Sequence, residues 1–130
     1  MEWQRMRVFI TVMTYPHPSK KYRETVCTAG ITEAYEWVRL YPINYRSLHA
    51  HQRFRKYQWV EVELARMGAD GDKRPESRRV RVDTLRPLGN PLPTSDGWEA
   101  RRAIIDHLPV HTVRQLEELY DRDYTSLGIV

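Results

Sequence analysis

The segment from Tyr35 to Tyr41 carries the residues whose types and spacing could do chemistry. If it forms a strand, a period of two divides its side chains between two faces. One face would carry Tyr35, Trp37, Arg39 and Tyr41, and the other Val38 and Leu40. Aromatic rings interleaved with an arginine form a surface on which bases can stack and phosphate can pair. A strand buried on both faces would look similar, so the segment is either a binding platform or core.

The elements that would position this segment follow a five-stranded pattern. Alternating apolar and polar residues predict strands at about 5–15, 23–31, 35–41, 59–66 and 79–85. In the fourth of these, Val60, Val62 and Leu64 would face inward, and in the second Gly30 suggests a bulge. The alternation disappears between 44 and 54, where a short helix is predicted.

The resulting order of strand, strand, strand, helix, strand, strand is that of an OB-like five-stranded barrel. SH3-like and PUA-like barrels compete with this interpretation. In an OB-fold, strands two and three bind the ligand and are flanked by the loops that join strands one to two and four to five. The predicted phosphate-binding residues are therefore Lys20, Lys21, Arg39, Lys73, Arg74, Arg78 and Arg79. The predicted stacking residues are Tyr35, Trp37, Tyr41 and Trp59. A modified-base reader, with Trp37 and Trp59 as a cage, is a further hypothesis.

Charge divides the 130 residues into two parts. Residues 1–87 hold 17 Lys and Arg against 10 Asp and Glu, a net charge of +7, whereas residues 88–130 hold 4 against 7, a net charge of −3. The first part is predicted to be the basic barrel and 88–94 a proline-rich connector. The acidic helical segment 95–130 would pack on the barrel or on a partner. A basic part rich in arginine favours a polyanionic partner.

Two short helices are predicted in the acidic segment. Ser95 or Asp96 could cap the first, and Thr112 with Gln115 has the form of a capping box for the second. Apolar residues on the second helix and at the chain end need cover, which predicts a homodimer or a partner protein. These residues are Val113, Leu116, Leu119, Tyr120, Leu127, Ile129 and Val130.

Several classes of function find no support in the sequence. It contains no glycine-rich phosphate loop, nucleophile elbow or carboxylate cluster, so we expect no enzyme activity, no cofactor and no metal site. His49 with His51, and His107 with His111, are more typical of solvated or core histidines than of ligands. The lone Cys27 is expected to be a small buried hydrophobe. No signal peptide or membrane-spanning run is evident, so the expected location is cytoplasmic and no membrane partner is expected.

Two short stretches carry a resemblance to a known family. The residues Cys27-Thr28-Ala29-Gly30-Ile31, followed by Glu36-Trp37-Val38-Arg39, resemble the small prokaryotic dual-OB-containing domains over residues 23–43. The resemblance implies an OB-type barrel and nucleic-acid association, and it brings no catalytic residues. The basic part has room for one barrel only. The chain would then be a single-barrel relative, or half of an assembly whose second barrel comes from another chain.

The sequence therefore predicts a non-enzymatic accessory module that binds single-stranded DNA or RNA with little sequence selectivity, because stacking accepts any base. The alternative is a scaffold subunit of a multi-component complex, which contacts a partner protein and no nucleic acid.

Overall fold

The computed structural model describes residues 2–14, 17–19, 23–25, 27–66, 75–122, 124–125 and 127–130. The strands described are β1 (Trp3–Met13), β2 (His17–Ser19), β3 (Arg23–Thr25), β4 (Thr28–Thr32), β5 (Trp37–Tyr41), β6 (Trp59–Ala65) and β7 (Ser77–Leu88). Two 3-10 turns, Tyr45–Ser47 and Ala50–Gln52, lie between β5 and β6. The helices are α1 (Ser95–Ile105) and α2 (Val113–Asp121). None of the helices described is long and apolar enough to cross a membrane.

Five of the strands form a sheet that closes on itself. Their order around the ring is β1, β4, β5, β7, β6, and β6 pairs with β1 again. Four of these pairings are antiparallel and the fifth, between β5 and β7, is parallel. Strands β2 and β3 pair separately with each other. The prediction of a mainly β fold with five strands and two C-terminal helices is confirmed, whereas the OB-like assignment stays a prediction.

Residues of β1, β5, β6 and β7, with three from the segment between β5 and β6, fill the interior of the ring. The buried cluster there is Val8, Ile10, Val38, Leu40, Ile43, Leu48, Phe54, Val60, Val62, Leu64, Val80 and Leu85. The inward orientation predicted for Val38 and Leu40 and for the three apolar residues of β6 is confirmed, because β-branched and leucine side chains at a period of two can bury one face of each strand.

The helix predicted between 44 and 54 is replaced by the two 3-10 turns. Side chains hold this segment by bonds to backbone carbonyls: the Tyr45 hydroxyl donates to Phe54 at 2.7 Å, and the Gln52 amide donates to Val82 at 3.0 Å. Such side-chain bonds compete with a helical ladder in a segment that lacks a continuous apolar stripe.

The predicted second strand is divided into β3 and β4, and the bulge lies opposite Gly30 rather than on it. The register shifts within β1, between Ile10 and Val12. Gly30 is required for a different reason, since a Cβ there would overlap the backbone carbonyl of Phe9 and lie 2.8 Å from Cγ1 of Val8. The missing side chain lets β1 and β4 approach.

Of the two predicted helix caps, one is wrong and the other is confirmed. The prediction that Ser95 or Asp96 caps α1 is wrong, because Thr94 is the cap residue and the first turn has left-handed backbone at Asp96, Gly97 and Trp98. The capping box of α2 is confirmed. The Thr112 hydroxyl accepts from the Gln115 backbone N–H at 3.2 Å, and the Gln115 side chain accepts from the Thr112 N–H at 2.8 Å.

The Gly30 contact gives a test of the closed sheet. Gly30→Ala should lower the free energy of unfolding by about 3 kcal/mol, at the upper end for overpacking, because the obstructing atom is backbone. Gly89→Ala is the control. Gly89 has φ +62° and open space around it, so only conformational strain of about 1 kcal/mol is expected. Urea denaturation measures both, and equal losses would contradict the close β1–β4 approach.

Candidate nucleic-acid interface

Strand β5 keeps part of the predicted aromatic face. Trp37, Arg39 and Tyr41 lie on the side opposite the buried Val38 and Leu40. Neither outward aromatic is fully exposed, since Trp37 and Tyr41 are both half-buried. What covers each of them decides which part of the face can meet a ligand.

Arg39 does not reach solvent. Its guanidinium forms an ion pair with Glu76 at 3.3 Å, and the side chains of the two residues are only 8% and 3% exposed. It also donates to the sulfur of Cys27 at 3.1 Å, and the Arg39 backbone N–H donates to the Glu76 carbonyl at 3.0 Å. The prediction that Arg39 contacts phosphate from an exposed strand face is wrong, because a buried charge is held by its partner. The expected apolar role of Cys27 is likewise replaced by that of an acceptor for Arg39.

Tyr35 lies before β5 rather than in it. The chain turns there, with φ +59° at Tyr35 and its N–H donating to the Thr32 carbonyl at 2.9 Å. The Thr32 hydroxyl accepts from the N–H groups of Ala34 and Glu36, each at 3.3 Å. These bonds place Tyr35 outside the strand, where its ring stacks on His107 with centroids 3.9 Å apart and planes at 7°. The predicted base position on Tyr35 is thus taken on one face by the chain itself.

Trp37 and Trp59 stand at opposite ends of one row across the outer surface. The register pairs Trp59 with Phe9, Phe9 with Ile31, and Ile31 with Trp37. Three strand spacings separate the two tryptophans, about 14 Å, so a cage made by both is excluded. Phe9 and Ile31 have no exposed surface although they face away from the interior. The ring therefore buries a second, outer apolar layer.

Two ring contacts hold α1 and the residues after it against the sheet. Within the helix, the Arg101 guanidinium lies 3.7 Å from the centroid of the Tyr57 ring, and Tyr57 lies beside Phe9 with centroids 6.2 Å apart. Just after its end, His107 stacks on Tyr35. These two contacts hold the segment from Arg101 to His107 between Tyr57, beside Phe9 of the row, and Tyr35, two residues before Trp37. At its Trp37 end, the segment predicted as a platform therefore faces the C-terminal segment, because Trp37 lines a cleft together with Leu108 and His111.

The Tyr41 end of β5 is different. Tyr41 is paired in register with Arg79 of β7, so their side chains are neighbours on the outer surface, and Arg79 is exposed. Arg81 follows two residues along β7 on the same face and is also exposed. An aromatic ring beside consecutive outward arginines is the arrangement expected of a stacking and phosphate-pairing surface.

Arg78, also predicted to bind phosphate, has a structural role. Its guanidinium donates to the Ala65 carbonyl at 2.6 Å, to the sulfur of Met6 at 3.0 Å and to the Gln4 side chain at 3.1 Å. Burial lowers the pKa of the Arg78 guanidinium, because a charged group loses hydration there. The prediction for Arg78 is wrong, since its position on β7 is inward, as is that of Val80.

An arginine-rich surface that the sequence reasoning missed covers β1, β6 and β7. The register aligns Arg5 with Glu63 and Arg81, and Arg7 with Glu61 and Arg86. Each glutamate lies between two arginines. The side chains of Arg5, Arg7 and Arg81 are 70%, 54% and 49% exposed, whereas both glutamates are only 22% exposed. We call the four arginines with Arg79 the arginine track. The sequence pattern could have predicted this surface, since outward arginines alternate in both the first and the last predicted strand.

The predicted loop cations Lys20, Lys21, Lys73 and Arg74 lie outside the described residues. Trp59, predicted to stack bases, is half-buried with its ring 5.5 Å from that of Phe9. Trp59 therefore packs against Phe9 in the outer row on the β6 side.

The residues predicted to contact a protein partner divide by exposure. Val113, Tyr120 and Val130 are exposed, and Leu116, Leu119, Leu127 and Ile129 are half-buried. The chain end folds back on its own segment: the His111 N–H donates to the Ile129 carbonyl at 2.7 Å, and Gly128 lies against the Leu116 side chain. An exposed apolar strip on α2 remains.

Among the residues described, no three His, Cys, Asp or Glu side chains lie close enough to hold a metal ion. The His49 and His51 rings do not diverge as a helix would require, because the 3-10 turn brings them parallel with centroids 5.6 Å apart.

Comparison with known proteins identifies a family for the chain. A family model described as "Domain of unknown function (DUF8758)" matches residues 4–107, which run from β1 to the residue after α1 that stacks on Tyr35. No curated protein and no solved structure matches the chain.

The Arg39–Glu76 pair can be tested by a double-mutant cycle. Arg39→Met or Glu76→Leu alone should cost about 3–5 kcal/mol of unfolding free energy, because each leaves one buried charge without its partner. The double variant should cost less than either. Arg102→Ala, which removes the exposed Arg102–Asp106 pair, is the control and should cost less than about 0.5 kcal/mol. Additive losses in the double variant, measured by denaturation, would contradict a coupled buried pair.

Proposed function

Since the chain belongs to the DUF8758 family, whose description states no activity, we propose a function from the geometry and the sequence. The protein is a non-enzymatic, cytoplasmic module that binds single-stranded nucleic acid with little sequence selectivity. The binding surface is the Tyr41 end of β5 together with the arginine track.

The observation that carries the proposal is the pairing of Tyr41 with Arg79 on the outer surface. A base can stack on the Tyr41 ring while the neighbouring guanidinium takes the adjoining phosphate, and neither contact depends on which base is present. Because any base can stack and any phosphate can pair, these contacts give affinity without sequence selectivity.

The arginine track extends this point contact along the surface. Arg79 and Arg81 share one face of β7, and the register carries the path to Arg5 on β1. The guanidinium groups stand farther into solvent than the glutamates between them. A phosphate backbone would therefore meet the arginines first and could displace their weak surface ion pairs.

An OB-type barrel is part of the proposal. The closed order β1, β4, β5, β7, β6 supports it, as does the position of Tyr41 on the third strand of the ring, where OB-folds bind oligonucleotides. The resemblance to dual-OB-containing domains points the same way.

Two substitutions test this surface. Tyr41→Ala should weaken binding of a single-stranded oligonucleotide by about 1–3 kcal/mol, and Arg79→Gln should flatten the dependence of log affinity on log salt by about 0.7. Tyr120→Ala and Arg102→Gln make the same chemical changes on the exposed faces of α2 and α1. Fluorescence anisotropy at several salt concentrations measures both quantities. If Tyr41→Ala and Arg79→Gln left affinity and salt slope unchanged, or if the two control variants caused equal losses, this surface would not be the binding site.

A protein-binding role is the second candidate, and one observation favours it. Val113 and Tyr120 on α2 are 59% and 53% exposed, and they flank the half-buried Leu116. The partner can be a second copy or another subunit, and the arginine track would then be a solvated surface.

Association through α2 predicts a concentration-dependent mass. If α2 pairs with a second copy, light scattering should show a dimer that Val113→Glu with Tyr120→Ser converts to monomer, because both changes place polar groups in an apolar contact. Arg114→Glu with Glu118→Ser alters the same helix away from the strip and should leave the dimer intact. A monomer in the unsubstituted chain at high concentration would contradict self-association.

A further inference from the structure

A second concave site lies away from the arginine track, between the start of β5 and the C-terminal segment. It is a cleft of about 400 Å³, within the range of small-ligand sites. One wall comes from Tyr35, Glu36 and Trp37, and the opposite wall includes His111 and Tyr124. The two walls belong to parts of the chain 70 residues or more apart, so only the folded protein has the cleft.

The lining combines aromatic rings with carboxylate charge. Tyr35, Trp37 and Tyr124 contribute three rings, and Tyr124 is largely exposed although it lines the cleft. The lining residues that the structure describes include two glutamates and no lysine or arginine. Glu76 is neutralised by Arg39 behind it. Glu36 is exposed at the rim and forms no direct salt bridge with the residues described, although its charge acts over a longer distance on the Arg78 guanidinium.

Aromatic rings together with a carboxylate favour a cationic ligand over an anionic or neutral one. Ring faces attract a cation within about 6 Å of their centroids through the quadrupole, and the attraction grows as the cation loses water. A phosphate would meet the same rings and the Glu36 carboxylate, which repel it. A neutral apolar ligand would gain burial but nothing from Glu36.

We propose that this cleft binds an organic ammonium ion with methyl groups on nitrogen, held by the rings of Tyr35, Trp37 and Tyr124 and by the carboxylate of Glu36. The methyl groups pack on the rings, and the diffuse positive charge faces both the ring surfaces and the carboxylate. A free quaternary ammonium compound and a trimethylated lysine side chain share this chemistry. The site is independent of the proposed nucleic-acid surface, because Tyr41 and Arg79 do not line the cleft.

The test uses the full chain and the indole N–H signals of its four tryptophans in a ¹H–¹⁵N spectrum. The Trp37 signal is the one that Trp37→Phe removes. Choline should shift it saturably at constant ionic strength, and 3,3-dimethylbutan-1-ol, its neutral isostere, should bind about tenfold more weakly. A trimethyl-lysine peptide and its unmodified counterpart form the second arm. Tighter binding of choline or of the methylated peptide identifies the source.

Two variants connect the binding to the cleft. Glu36→Gln should weaken choline binding about threefold, and Tyr124→Ala should weaken it further, while Glu118→Gln on α2, outside the cleft, should leave it unchanged. Thermal unfolding of each variant shows whether the fold is kept. Equal binding of choline and its isostere would overturn the proposal in favour of an apolar pocket. No Trp37 shift with choline or the methylated peptide at 10-fold molar excess and beyond would overturn it outright.

Discussion

The fold depends on a buried ion pair at the point where the sheet closes. β5 and β7 pair in parallel over three residues each, Arg39–Tyr41 with Ser77–Arg79, and this is the shortest junction of the ring. The Arg39 side chain and backbone both bind Glu76 there. Without this junction both strands would present unpaired backbone groups as sheet edges. Because removal of one buried charge costs more than the pair gains over an apolar substitute, the two residues are required together.

Closure at Arg39 divides the aromatic face of β5 into two ends with different surroundings. Toward Trp37, Phe9 and Ile31 of the outer row are buried, and residues of the C-terminal segment contact the rings beside that row, Arg101 on Tyr57 and His107 on Tyr35. Toward Tyr41, the parallel register brings Arg79 alongside and continues into the arginine track. One strand thus contributes to the cleft at one end and to a cationic surface at the other.

Local patterns predicted most of the scaffold. The period of two identified the inward residues of β5 and β6, and the Thr112 capping box depends on residues three apart. The predictions that were wrong concerned residues whose contacts come from distant parts of the chain. Arg39 looks solvent-facing until Glu76, 37 residues later, is placed beside it, and Arg78 looks like a loop cation until β6 supplies the Ala65 carbonyl. Trp37 shares a cleft with Leu108, Pro109 and His111, and nothing in the sequence of these residues says where they dock. The cleft was equally invisible, because its walls lie far apart in sequence.

The division of arginines into structural and exposed groups is the central claim, and the arginine side chains report on it directly. In a ¹H–¹⁵N spectrum of the Nε–H groups, titration with a single-stranded oligonucleotide at low salt should shift Arg79 and Arg81 first. Arg39 and Arg78, held by Glu76 and by the Ala65 carbonyl, should stay unshifted and exchange slowly with solvent. Shifts at Arg39 with none at Arg79 would contradict the account, as would an oligonucleotide that moves none of these signals.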